Sequence, residues 1–127
     1  MFTKNQISIV VRIMLATAFF AGMLGVQPAQ AASVDFGWAK GMGGANLDSG
    51  YSVAVDGSGS VYTTGIFSGT VDFDPGPGTY NLTSAGSYDI FVSKLDKNGN
   101  FVWARSMGGT GYDSGSDIAL DGSGNIY

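Results

Sequence analysis

The feature that most constrains this chain is an internal repeat. Residues 36–62, FGWAKGMGGANLDSGYSVAVDGSGSVY, return at 101–127 as FVWARSMGGTGYDSGSDIALDGSGNIY, offset by 65 with no gap. Fifteen of the 27 positions are identical. Composition bias alone would match scattered Gly and Ser. It would not also align Phe36, Trp38, Met42, Asp48, Asp56 and Tyr62 with Phe101, Trp103, Met107, Asp113, Asp121 and Tyr127. A fixed period of this kind means that each unit hides its apolar surface against its neighbours.

A smaller echo lies inside the period: DGSGSVY (56–62), DKNGNFV (96–102) and DGSGNIY (121–127). Each follows a stretch of alternating apolar and polar residues, as in YSVAVD, DIFVSKLD and SDIALD. Alternation up to a Gly-rich polar turn, then renewed apolar residues, reads as a β-hairpin. The Asp accepts bonds from turn amides and the Gly supplies a positive φ. One period thus predicts strands at about 51–56, 60–66, 89–95 and 100–105. Two hairpins repeated at a fixed spacing predict an all-β fold, a β-propeller of four-stranded antiparallel blades. The period is longer than the ~40–50 residues of familiar propeller repeats. The extra length is 67–88, FSGTVDFDPGPGTYNLTSAGSY. Its DPGPG is loop, because Pro lacks the donor a central strand needs. VDF and TYNL around it predict a small accessory hairpin.

The strings WAKGMGG, DSGYSVAVDGSGSVYTTG, VDFDPGPG and DIFVSKLDKNGNFVWAR together resemble the bacterial β-propeller repeat called SBBP, over nearly all of 36–127. The resemblance implies a propeller in an exported or surface protein. It implies no established catalytic residue.

The N-terminus predicts export. Lys4 and Arg12 precede an apolar run, IMLATAFFAGMLGV (13–26), and Ala29-Gln30-Ala31 fits the small-x-small cleavage rule. This is the layout of a signal peptide over 1–31. The run is short for a membrane span, which needs ~20 residues; an uncleaved anchor is the alternative. Cleavage would leave 96 residues with four cations against ten Asp and no Glu, a net charge of −6. That balance disfavours nucleic acid and anionic membrane surfaces. The chain has no Cys, so packing rather than disulfides must stabilise it.

The remainder divides into an outer strand at 32–40, a complete blade at 41–105 and the start of a second blade at 106–127. Within 32–40, Phe36–Lys40 aligns with Phe101–Arg105, the fourth strand of a blade, and is placed to close a ring. Fewer than two blades fall short of the ~4–8 of a propeller. A lone blade would leave Tyr51, Val53, Val55, Phe91, Phe101 and Trp103 without a facing sheet. The expectation is a truncated reading frame; the rival is a short subunit that closes a ring by self-assembly.

No catalytic, cofactor-binding or metal residue is predicted. With no His and no Cys, imidazole triads, thiol catalysis and His/Cys zinc sites do not arise from these residues. Calcium is the nearest alternative. Asp56-Ser58-Ser60, Asp96-Asn98-Asn100 and Asp121-Ser123-Asn125 place oxygens at positions 1, 3 and 5 of a loop. Gly then falls at the fourth position rather than the sixth, and no Glu closes the loop, so hairpin turns are the simpler reading. Asp72 and Asp74 lie opposite Val71 and Phe73 by alternation, as a solvated edge would. GMGG (41–44) and SMGGTG (106–111) lack the Lys-[Ser/Thr] of a phosphate loop and read as tight links between blades. The Trp of LDKNGNFVW, Trp103, follows an Asp–Gly turn as in quinoprotein propellers, but packing anchors between blades are the simpler reading of Trp38 and Trp103. Asn81-Leu82-Thr83 fits a glycosylation sequon.

The functional expectation is an exported, non-catalytic repeat protein that binds a protein or glycan at the cell envelope or outside the cell. The alternative is part of a secreted propeller enzyme, a lyase, glycosidase or quinoprotein, with its active site in other blades. A third option is a calcium-stabilised scaffold.

Overall fold

A computed structural model describes residues 8–9 and 36–127. Apart from Ser8–Ile9, the expected signal peptide lies outside the described residues. The elements are β1 (Ser8–Ile9), β2 (Lys40–Gly41), β3 (Gly43–Gly44), β4 (Ser49–Val55), β5 (Val61–Phe67), β6 (Thr70–Asp72), β7 (Asn81–Thr83), β8 (Asp89–Leu95) and β9 (Phe101–Met107). Among the described residues there is no helix, and therefore none long and apolar enough to cross a membrane.

The main sheet has four strands in the order β4-β5-β8-β9, each antiparallel to the next. This is the two-hairpin meander that the alternation predicts. Both hairpins turn through a glycine of positive φ, Gly59 (85°) and Gly99 (79°). Their closure is the same: Asp56 N–H donates to Ser60 O, and Asp96 N–H to Asn100 O. A register shift between Gly50 and Ser52 sets Tyr51 apart as a bulge. Opposite it, a Cβ on Gly65 would run into the Ser49 carbonyl and approach Gly50 Cα to 2.9 Å. Only glycine lets β4 and β5 meet there.

One face of the sheet is covered by the repeat's own insert. β6 and β7 pair as the expected accessory hairpin, and β3 adds to it in the order β3-β6-β7. Because Val71 and Phe73 alternate with Asp72 and Asp74, this hairpin has one apolar side. That side closes on Phe67, Phe91 and Ala104, with Met42 and Leu82 at its margin. Phe67 and Phe73 meet edge-to-face at 5.4 Å, and Phe73 lies 5.0 Å from Phe91. Phe101 packs on Tyr80 at 4.8 Å. The sequence pattern left Phe91 and Phe101 waiting for a neighbouring blade. The structure supplies their cover from residues 71–80 of the same repeat.

The other face receives the second repeat. Ile118 and Leu120 pack with Ala54, Tyr62, Val92 and Trp103. Ser52 Oγ donates to Asp117 Oδ1 at 2.5 Å, joining two positions that are equivalent in the repeat. The segment closes on itself through a Leu120–Ile126 bridge and reciprocal bonds between Ala119 and Tyr127. Val53 and Val55, the counterparts of Ile118 and Leu120, remain 41% and 47% exposed. Upstream, Phe36–Ala39 carries no strand, while Lys40–Gly41 pairs with Ser8–Ile9.

Candidate functional site

The three hairpin aspartates share one geometry. Asp56 Oδ1 accepts from Ser58 N and Ser60 N, both at 2.9 Å. Asp96 Oδ1 accepts from Asn98 N (2.8 Å) and Asn100 N (2.9 Å). Asp121 Oδ1 accepts from Ser123 N (2.9 Å) and Asn125 N (2.8 Å). Side chains add to this: Asn100 Nδ2 donates to Asp96 Oδ2, and Asn125 Nδ2 to Asp121 Oδ2. These donors hold all three carboxyls below the usual carboxylate range. The first cause at Asp56 is the Ser58 hydroxyl, at Asp96 the Asn100 amide N–H, and at Asp121 the Asn125 side chain. N–H groups aimed at an oxygen leave it poorly placed for a cation. The arrangement closes each hairpin as a turn.

At the first turn the device extends across the sheet. Tyr62 Oη donates to Asp56 Oδ2 at 3.2 Å, Lys94 Nζ pairs with the same oxygen at 3.5 Å, and Nζ lies 4.7 Å from the Tyr62 ring centre. The Tyr62 contact, followed by Asp56, raises the Lys94 pKa. Tyr127 Oη reaches Asp121 Oδ2 in the same way at 3.4 Å.

Asp72 and Asp74 organise the insert loop. Asp72 Oδ1 accepts from Asp74 N and Tyr80 N, and Asp74 Oδ1 from Gly76 N. The glycine-rich links carry their own acceptors. Gly44 N donates to Asp48 Oδ2 at 2.7 Å, and Gly109 N to the equivalent Asp113 Oδ2 at 2.8 Å. A phosphate would have to displace these carboxylates. Trp38 Nε1 donates to Lys97 O at 3.0 Å, and its ring lies against Gly99. Trp103 meets Tyr62 edge-on at 6.1 Å. Trp38 therefore acts as a hydrogen-bonding and packing anchor, and Trp103 as a packing anchor. Asn81 is exposed in β7, and the hydroxyl of Thr83 bonds that of Thr70 at 2.8 Å.

Sequence patterning did not point to a tyrosine cluster at the bulged end of the blade. Tyr88 and Tyr112 lie 5.4 Å apart, linked by a bridge between their backbones. Tyr51 joins them; loss of water and then a hydrogen bond with Tyr112 raise its pKa. Tyr51 and Tyr112 are exposed. A cavity of about 20 Å³ beside the Phe cluster, lined by Met42, Asp48, Phe67 and Phe91 among others, has room for little more than a water. Among the described residues no group of three or more acidic side chains converges on one point.

No family model matches the chain, and no solved structure matches it. It is similar to an uncharacterised WD repeat-containing protein of Acanthamoeba polyphaga mimivirus, 28% identical over 103 residues. The match takes in 70% of this chain and 7% of the relative, so the chain spans a small part of that protein's length. The four-stranded meander and the WD-repeat relative agree on the architecture: an all-β, propeller-type repeat, present as one blade and the beginning of the next.

Proposed function

We infer that the chain is an exported, non-catalytic β-propeller repeat protein of the SBBP type, acting as a binding scaffold at the cell envelope or outside the cell. The observation that carries this reading is the seating of one repeat on the other through Ser52–Asp117 and through Ile118 and Leu120. Equivalent positions of the two repeats are thereby used for stacking one unit on the next, which is how an interaction scaffold uses its repeats. Export rests on the basic, apolar and small-residue layout of 1–31. The partner is a protein or a glycan, met at the exposed tyrosines Tyr51 and Tyr112. Tyr suits such a surface because it combines a rigid apolar ring with a polar tip.

The test uses the product exported from a bacterial host. Its mass reports the N-terminus, and its depletion from solution by isolated cell envelopes reports binding. The expected product begins at Ala32, binds, and stops binding when Tyr51 and Tyr112 are both replaced by Ser. A product that keeps residues 1–31 refutes cleavage. Equal depletion of both forms refutes the tyrosine surface, and no depletion of either refutes the envelope scaffold.

A further inference from the structure

Asp89 is the first residue of β8, yet it is only 3% exposed. Its Oδ2 accepts from Ala85 N at 3.0 Å. Its Oδ1 is buried and has no hydrogen-bond partner. A buried carboxylate oxygen with nothing to neutralise it is costly. Among the described residues the one ion pair is Lys94–Asp56, so no Lys or Arg answers it there.

A second carboxylate closes on the same point. The position that a Cβ on Gly108 would take lies 2.6 Å from Asp89 Oδ1 and 3.0 Å from Asp113 Oδ2. The two acids thus approach across a single glycine, from the first blade and from the link that opens the second repeat. Two like charges so placed repel, which deepens the need for a counter-charge. Gly108 itself is exposed and Asp113 half-buried, while Asp89 lies beneath them. The same link packs on the segment before β8: the carbonyls of Gly109 and Thr110 lie against Gly86, whose neighbour Ala85 gives its amide to Asp89.

We propose that Asp89 and Asp113 bind a divalent cation of the calcium type between the first blade and the second repeat. Calcium takes its ligands as oxygens and tolerates a mixed set of carboxylates, carbonyls and water. This site is distinct from the hairpin turns: each turn Oδ1 takes two backbone amides, whereas Asp89 Oδ1 takes none and Asp113 Oδ2 takes one, from Gly109 N. The cation would tie the start of β8 to the 108–113 link and so strengthen the contact between repeats.

Terbium titration of the full chain tests this, because Tyr88 and Tyr112 flank the two acids and sensitise bound terbium. Saturable emission is expected on tyrosine excitation, displaced by calcium. Asp89→Asn and Asp113→Asn should each weaken terbium binding by about tenfold or more, and Asp72→Asn should leave it unchanged. Should Asp89→Asn fail to fold, as judged by circular dichroism, Asp113→Asn on the half-exposed link decides. No saturable emission overturns the proposal, as does an equal affinity in Asp113→Asn or an equal loss in Asp72→Asn. Calcium that leaves the melting temperature of the chain unchanged overturns it too.

Discussion

Ile118 and Val53 occupy the same position of the repeat but not the same environment, and replacing each by Ala measures the difference. Ile118 is 7% exposed and packed with Tyr62 and Val92, whereas Val53 is 41% exposed. Truncating a buried Ile costs ~2–5 kcal/mol, through lost transfer free energy and the cavity left behind. The segment around Ile118 is short and can partly collapse, which places Ile118→Ala at about 2–3 kcal/mol. Val53 is only partly withdrawn from water, and Val53→Ala should cost about 0.5–1 kcal/mol. Were both sites equally packed, the costs would follow the carbons removed and differ by about 1.5-fold. The structure calls for about two- to sixfold. Urea unfolding at constant m gives both values on one scale. Equal costs, or a larger cost at Val53, would refute the claim that the second repeat seats on the first blade while the opposite edge stands open.

Phe73→Ala removes the ring between Phe67 and Phe91 and should cost about 3–5 kcal/mol in the same assay; a loss under about 1 kcal/mol would mean that the insert does not cover the sheet. Gly65→Ala forces a methyl into the Ser49 carbonyl and should cost about 1–3 kcal/mol or more; wild-type stability would show that β4 and β5 do not meet at the bulge. The pH dependence follows from the turn carboxylates. Their folded pKa values are depressed, so their stabilisation is present above the unfolded value, about 3.9, and is lost as pH falls through the folded values. Stability should therefore decline below about pH 4, and Asp56→Asn, Asp96→Asn and Asp121→Asn combined should flatten that decline. An unchanged acid profile in the triple variant would contradict it.

The main sheet was legible because its signals are local. Alternation and the Asp-x-x-Gly turns placed strands within two residues of Ser49–Val55, Val61–Phe67, Asp89–Leu95 and Phe101–Met107. The accessory hairpin was legible for the same reason, from Pro and Gly between VDF and TYNL. Its role was not. Nothing in the string VDFDPGPG says that Phe73 folds back to lie on Phe91, since that contact joins residues distant in sequence. Gly43–Gly44 read as a link and instead pairs with Val71–Asp72, because glycine carries no side-chain signal for a strand. Tyr51 read as one of a row with Val53 and Val55; the bulge set it toward Tyr112 instead. Asp89 read only as the start of a strand, and its approach to Asp113 needs the 108–113 link to return over it. Trp38 and Trp103 were legible as anchors, though the bond from Trp38 to Lys97 O was not.

The central claim is that a blade gains stability from the repeat stacked on its face. The direct measurement is urea unfolding of the chain before and after a second copy of residues 63–105 is appended to Tyr127, the equivalent of Tyr62. Completing the second blade should raise the unfolding midpoint and increase m within a single transition, since m follows the surface exposed on unfolding. An unchanged midpoint, with the added blade melting in a transition of its own, would contradict the account.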